Sequence, residues 1–488
     1  MTKKTLCVLF LYLASHLYSQ VGDSLPLETN FVELTPSSNF NLALNKLDLI
    51  KQNNNAVFTI MHFGDSHIQG DHFSGEIRKS LHSTFGNAGQ GILFPYSLSK
   101  SYGPRGIKIT PLGTWTGTNI MNYKSSEKIS TTGYVCSTKT TNAAIDFDIT
   151  DKFTGILSHS IRIWYTTGEH FHDFEMNKEL KLIDEKIYAD GLAQRTYISD
   201  SIIDHFNLTV KAVTDSSQQF TLHGFEFLSD ETSGINYHHY GVVGAQFSHF
   251  IKNSTYAFTQ IEALQPDLIL FSFGTNEAYD NSIDTNKYYT AVTQMIQLIH
   301  TISPKTAIIF TTAPDTRSQG RIPVNQINVN NQLKKAAVNN DASLYDLNAA
   351  MGGWGSMNTW SKNLLSQGDK LHFNATGYAL QGKMFSYSFL EAYNKENIND
   401  TISILNFRNQ LIDQLKFLKE NKTIVVDILP KQQRIIQNPY QYHQVKSGET
   451  VSSIARKYHV SQQKIISANN LNKNGLIRTG QRLRIPKA

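Results

Sequence analysis

The sequence predicts an α/β protein: a parallel sheet flanked by helices, interrupted by an inserted β-sandwich and followed by a small βααβ module. Three observations carry this expectation. Short apolar runs, AVFTIMHF at 56–63, PDLILFSF at 266–273 and AIIFTT at 307–312, alternate with segments of helical period, which argues for parallel strands covered on both faces. From about 106 to 227 that rhythm gives way to Thr-, Ser-, Gly- and aromatic-rich runs such as SIRIWYTT and QQFTLHGFEFL. Loops of that length without structure of their own are uncommon, so a β-domain is expected there. From Tyr442 onward the pattern is strand, two short helices and strand.

At 488 residues the chain is too long for one ordinary domain. Hydrophobic residues make up 40% and charged residues 17%, the balance of a packed protein rather than a disordered one. The net charge of +5 is too small to argue for a nucleic-acid binder. Met1-Thr2-Lys3-Lys4, the mostly apolar Thr5–Leu17 and the small Ser19 read as a secretory signal peptide over 1–19. That run is shorter than the about 20 residues a spanning helix needs, so no stable membrane span is expected after cleavage. The expected location is the periplasm or cell envelope. Of the two cysteines, Cys7 lies in the signal and Cys136 would remain alone, so no intramolecular disulfide is expected.

In chain order, the strand at 56–63 runs into Gly64-Asp65-Ser66-His67, and a helix follows through Gly75 to Phe85. The insert is expected over 106–234, dividing one α/β domain into 20–105 and 235–394. The strand at 266–273 ends at Gly274-Thr275-Asn276-Glu277. Val292, Met295, Ile296 and Ile299 then make one helical face. After the strand at 307–312 come a helix over 325–339, a strand over 343–347 and a helix from Ala375 to Tyr393. A polar connector, 395–440, holds Ile404, Leu411 and Leu415 at helical spacing and is punctuated by Pro430 and Pro439; the last module covers 441–488.

A nucleophilic serine needs exposure, a base, a group orienting that base, and donors for the developing oxyanion. Ser66 follows a strand end and a glycine turn. Asp369 and His372 stand three residues apart just before a helix, placed to serve as orienting acid and base. The Asn276 amide closes another strand, and Gly241-Val242-Val243-Gly244-Ala245 supplies a backbone N–H from a further strand end. Asp65 is expected to tie down the turn, and His67 to be a local hydrogen-bonding residue. His170, His172, Asp173 and Glu175, and the pair His238-His239, contain metal-ligand residue types. Strand alternation turns His170 and His172 away from Asp173, so no metal and no cofactor is expected.

In order, Gly64–Ser66, Gly244, Gly274–Asn276 and Asp369–His372 resemble the four characteristic blocks of SGNH (GDSL-like) hydrolases. The resemblance covers about 56–105 and 235–393. It implies the SGNH parallel sheet, with Ser66 as nucleophile, His372 as base and Asp369 as orienting acid. It further implies oxyanion donors on Ser66 N–H, Gly244 N–H (Gly241 being the alternative) and the Asn276 amide. Many members carry Asp after the Asn, where this chain has Glu277. HFGDSHIQGD, FGNAGQG, YGVVGA, GTNEA and DKLHFNATGY resemble, more narrowly, the peptidoglycan O-acetylesterase branch. That branch carries a carbohydrate-binding-module-like β-sandwich between its first two blocks, where the insert is expected.

In the last module, Val451, Ile454, Ala455 and Tyr458 form one helical face, and Ser461 is placed to cap a second helix through Ala468. The whole stretch from Tyr442 to Pro486 resembles a LysM domain. The resemblance implies binding of N-acetylglucosamine-containing glycans, in a groove between loops at Gly448–Thr450 and Asn470–Ile477. Lys446, Arg456, Lys457, Lys464, Lys473, Arg478, Arg482, Arg484 and Lys487 are opposed only by Glu449, a balance suited to an anionic wall. The expected function is an exported serine esterase that removes 6-O-acetyl groups from N-acetylmuramic acid in peptidoglycan, with peptidoglycan glycan strands as partner. The alternatives are a peptidoglycan O-acetyltransferase, a wall-binding protein with an inactive core, and a plant-polysaccharide acetylesterase, which the LysM module fits poorly.

Overall fold

The structure is a computed structural model that describes residues 33–52, 55–104, 106–122, 127–149, 158–211, 218–253, 255–396, 440–446, 448–469, 471 and 476–486. The expected signal peptide with Cys7, and the connector helix at Ile404–Leu415, lie outside the described residues. The chain divides into two compact units, 1–420 and 421–488.

The first unit begins with α1 (Ser38–Lys51), capped by Ser37, whose side chain accepts from Phe40 N–H. Phe40, Ala43, Leu44, Leu47 and Ile50 are its buried face. Their spacing of three and four residues is that of one helical face. β1 (Val57–Gly64) leads through α2 (Ser66–Gln69) and α3 (Phe73–Phe85) to β2 (Asn87–Leu93). Eleven strands then follow without a long helix. They are β3 (Ile107–Leu112), β4 (Thr116–Asn119), β5 (Tyr134–Thr138), β6 (Ala144–Ile149), β7 (Ser160–Thr166) and β8 (Phe174–Met176). After these come β9 (Lys181–Ile187), β10 (Leu192–Ile198), β11 (His205–Val210), β12 (Phe220–Leu228) and β13 (Gly234–Gly241). Alternation of helix and strand then resumes: α4 (Phe247–Asn253), α5 (Thr255–Leu264), β14 (Leu268–Ser272), α6 (Thr275–Tyr279), α7 (Thr285–Ile302), β15 (Ala307–Thr311) and α8 (Gln326–Asn339). The unit's remaining elements are β16 (Ser343–Tyr345), α9 (Leu347–Ala350), α10 (Ser356–Lys362) and α11 (Ala375–Glu396).

The large sheet has the order β16-β15-β14-β1-β13-β2-β12-β7-β10-β9, with β5 beside β12 and β4 beside β5. From β16 to β2 neighbouring strands are parallel. From β12 outward they are antiparallel. β1 is central and apolar on both faces: Phe58 and Ile60 enter one core, Met61 and Phe63 the other. That is why it reads as a continuous apolar run rather than an alternating one.

A second sheet, β3-β6-β11-β8, lies across β12. Phe147 and Phe206 meet Phe225 with ring centroids 5.7 and 5.0 Å apart. The insert thus has two layers, but only one is a sheet of its own; the other continues the parallel sheet. β2 makes this possible by pairing parallel with β13 on one edge and antiparallel with β12 on the other. An edge that would otherwise stand open is closed by hydrogen bonds. Cys136 is buried on β5. Among the described residues no helix is long and apolar enough to cross a membrane.

In the second unit, β17 (Tyr440–Gln444) pairs antiparallel with β18 (Arg482–Pro486), with α12 (Val451–Lys457) and α13 (Gln462–Ala468) between them. Val451, Ile454, Ile465, Leu483 and Ile485 form its core.

Candidate active site

Parallel pairing in register sets the site. Gly64, the last residue of β1, lies opposite Gly241 of β13 and Ser272 of β14. The segments that leave these strands therefore emerge at one edge of the sheet, where open α/β sheets hold their ligands. A Cβ on Gly64 would stand 2.2 Å from Ile68 Cγ1 and 2.8 Å from the Ser272 carbonyl oxygen. Only glycine lets the strand end and the next helix approach so closely.

Ser66 Oγ lies 2.9 Å from His372 Nε2, and His372 Nδ1 lies 2.8 Å from Asp369 Oδ2. The structure thus brings together three residues that the sequence separates by 306 positions. The three-residue spacing has a local cause. Asp369 Oδ1 accepts from the N–H groups of Leu371 (2.9 Å) and His372 (3.0 Å), so Asp369 caps the turn that carries His372. Lys370 takes a left-handed conformation, φ 52°, inside that turn. Its carbonyl accepts from Arg317 N–H at 2.9 Å. Arg317 also pairs with the fully buried Asp315 at 2.5 Å, and Asp315 Oδ2 accepts from Gly355 and Met357 N–H. A buried ion pair thus braces the loop that carries His372, a support with no signal in the sequence.

Burial alone would raise the Asp369 carboxyl, but the hydrogen bonds from the His372 ring and the two backbone N–H groups outweigh it and bring it to about 2. At neutral pH Asp369 is therefore ionised and holds one imidazole tautomer of His372. Burial, and then the charge His372 can take up, push His67 down to about 3, so it does not compete for the proton. His67 is not the local residue expected. Its Nδ1 bonds the Tyr378 hydroxyl on α11 at 2.9 Å, and its ring lies 5.3 Å from that of His372. Asp65 does tie down the turn, accepting from His67 N–H at 2.9 Å, and burial lifts its carboxyl to about 7.

Gly244 has φ 78° and follows β13. Neither its N–H nor that of Ser66 bonds another group among the described residues. Gly241, the alternative, is used otherwise: a Cβ there would stand 2.2 Å from Gln69 N, so it lets the strand end lie on the backbone of α2. The Asn276 amide reaches the same region but is not free. Its Nδ2 donates to the Ala245 carbonyl at 2.9 Å and to Asp65 Oδ2 at 3.3 Å.

Glu277, where the family often has Asp, accepts from Phe247 N–H at 2.6 Å and Gly274 N–H at 3.0 Å. It ties the turn after β14 to the start of α4, and burial raises its carboxyl to about 7. Glu277→Ala leaves two buried N–H groups unpaired and should cost about 2–4 kcal/mol, read as a lowered urea midpoint at unchanged m-value. An unchanged midpoint would show that the two donors find other partners.

The other candidate clusters resolve into structural pairs. Asp173 is committed to Arg195 (2.5 Å) and Lys211 (2.7 Å), while His172 is buried and His170 exposed. His238 and His239 are buried on β13, with Glu226 and Asp71 respectively 3.7 Å away. In the second unit Thr450 caps α12, accepting from Ser453 N–H, and Gly448 has φ 81° with open space around it. Ile477 packs on the small core, and Asn470 lies outside the described residues. Glu449 is occupied by His443 Nε2 and Lys446 N–H, both at 2.7 Å.

Residues 200–380 match the GDSL-like Lipase/Acylhydrolase family and residues 443–486 the LysM domain. The first match contains Gly244, Asn276, Asp369 and His372 but begins after Ser66. No curated protein matches the chain. Among solved structures it is similar to one described as a peptidoglycan O-acetylesterase, with a TM-score of 0.61 and 21% identity over 72% of this chain and 96% of that one. A lipase/acylhydrolase from Enterococcus faecalis has a TM-score of 0.26 at 19% identity, over 33% of this chain and 77% of that one. For Axe2, an acetylxylan esterase from Geobacillus stearothermophilus, the figures are 0.26, 14%, 33% and 73%. The last two scores are too low to bear on the fold. The chain carries a GDSL-like acylhydrolase domain of SGNH fold and, at its C-terminus, a LysM domain.

Proposed function

We propose that this protein is an exported serine esterase that removes 6-O-acetyl groups from N-acetylmuramic acid in peptidoglycan through an acyl-serine intermediate. The observation that carries the reading is the Ser66–His372–Asp369 relay at the carboxyl edge of the sheet. His372 takes the Ser66 proton as Oγ adds to the acetyl carbonyl. The N–H groups of Ser66 and Gly244, with the Asn276 amide, stabilise the oxyanion. The sugar alkoxide leaves with the proton from His372, and water then releases acetate by the same route. Asp369 holds Nδ1 and balances the imidazolium.

The site is open to solvent: the side chains of Asp369 and His372 are 45% and 27% exposed. An acetyl group carried on the surface of a polymer suits such a site better than a long acyl chain, which needs a deep apolar slot. Trp354, 38% exposed on the loop between α9 and α10, adds an aromatic surface near the Asp315 brace. The LysM domain supports a wall glycan as the surface to which the enzyme is held, raising local substrate concentration without altering the barrier.

Incubation with O-acetylated sacculi should release acetate and leave the N-acetyl groups in place, since an amide is a harder acyl group to displace. A chain ending at residue 420 should pellet less with sacculi. No acetate release by enzyme that turns over a small acetyl ester would sink the wall substrate. Equal release from acetylated xylan would widen it to carbohydrate esters in general.

A further inference from the structure

We propose that Gln69 is a positioning residue that ties the oxyanion loop to the inserted sheet, and that Tyr134 is the insert's contribution to this tie. The proposal rests on the acyl-serine reading. Gln69 ends α2, three residues after the nucleophile, and is fully buried. Its Oε1 accepts from Val243 N–H at 2.8 Å and from the Tyr134 hydroxyl at 3.1 Å. Its Nε2 donates to Ser101 Oγ at 2.7 Å and to the Tyr102 carbonyl. An amide has two donors and two acceptor positions, and all four are used. Its orientation is decided by two backbone groups, because Val243 N–H only donates and the Tyr102 carbonyl only accepts.

The consequence falls on Gly244. The residue before it is gripped by Gln69 and the residue after it by Asn276, whose amide donates to the Ala245 carbonyl. The turn is closed by Ala245 N–H on the Val242 carbonyl at 3.0 Å. Two side-chain amides thus hold the peptide that carries the unpaired Gly244 N–H. Asn276 belongs to the parallel core, whereas Gln69 leans outward on the insert. Tyr134 opens β5, its ring stacks on Phe94 with centroids 5.3 Å apart, and its hydroxyl also lies 3.2 Å from Ser101 Oγ. On this reading the insert completes the catalytic centre, whatever else it binds.

The test uses the full chain and p-nitrophenyl acetate. Tyr134→Phe removes one hydrogen bond to Gln69 and leaves the other three, and should lower kcat about 3- to 10-fold, the worth of one neutral hydrogen bond. KM should move less than about twofold, since the lost interaction acts on the transition state. Gln69→Leu, which empties all four positions, should cost about 10²-fold or more in kcat, and Gln69→Glu, which keeps the acceptor for Val243, should recover part of it. Amide hydrogen exchange of 242–245 should quicken in Tyr134→Phe while the melting temperature holds. If Gln69→Leu does not fold, Tyr134→Phe decides. Wild-type kcat together with wild-type exchange in Tyr134→Phe would overturn the proposal, as would a loss of activity that only tracks a loss of folded protein. If the wild-type chain hydrolyses no acetyl ester at all, the function reading fails, and the exchange rates still decide whether Tyr134 holds the loop.

Discussion

Ser66→Ala is expected to lower ester hydrolysis by roughly 10⁴-fold or more while leaving the fold intact, because the members of a nucleophile–base–acid set act as a unit. Among the described residues the Ser66 hydroxyl bonds only the His372 imidazole, so its loss leaves one nitrogen of a partly exposed ring to water and disturbs little else. The melting temperature should therefore hold while turnover of p-nitrophenyl acetate disappears. Asp369→Asn should be similarly costly, because an amide would favour the wrong tautomer of His372. The turn itself should hold, since the amide oxygen that remains can still accept from the two backbone N–H groups that bond Asp369 Oδ1. Retention of more than about a tenth of wild-type turnover in Ser66→Ala would remove Ser66 as the nucleophile.

Asn276→Ala should lower kcat by about 10²–10³-fold, the usual effect of losing one oxyanion donor. Two contributions add here. The first is the amide itself: its 3.3 Å bond to Asp65 is long enough to yield to a stronger acceptor, and a developing oxyanion is one. The second is indirect. Without the 2.9 Å bond to the Ala245 carbonyl, the turn that carries Gly244 loses one of its two side-chain clamps. Counting active sites with a serine-directed phosphonate separates this from loss of folded enzyme. If kcat per active site is unchanged, the oxyanion is stabilised elsewhere and the Asn276 amide is structural.

What the sequence makes legible follows from where the chemistry sits. Gly64–Ser66, Gly274–Asn276 and Asp369–His372 are short motifs at the ends of strands or at the start of a helix, and their meaning depends on local turns. The apolar runs that became β1, β14 and β15 are readable for the same reason: a strand buried on both faces tends to be apolar along most of its length. β2 is less legible. Its NAGQGIL is glycine-rich and neither alternates nor runs apolar, yet it joins the two halves of the large sheet. Its identity as a strand depends on partners at β12 and β13 that lie far along the chain.

The supports of the site were out of reach for a related reason. Gln69, Asp315 and Arg317 are polar residues that composition places at the surface. Gln69 and Asp315 are buried because partners distant in sequence satisfy them, Val243 for Gln69 and Gly355 and Met357 for Asp315; the Arg317 side chain is satisfied by Asp315 beside it, while its backbone N–H reaches the distant Lys370 carbonyl. His67 looked local and bonds Tyr378, 311 positions away. By itself the sequence singled out Ser66, His372 and Asp369 as candidates and determined the α/β class, because motif spacing and apolar periodicity are local properties of a chain. Only the tertiary structure decided that the insert shares the hydrolase sheet and how the Gly244 loop is gripped, because strand pairing and the satisfaction of buried polar groups depend on residues that the sequence leaves far apart.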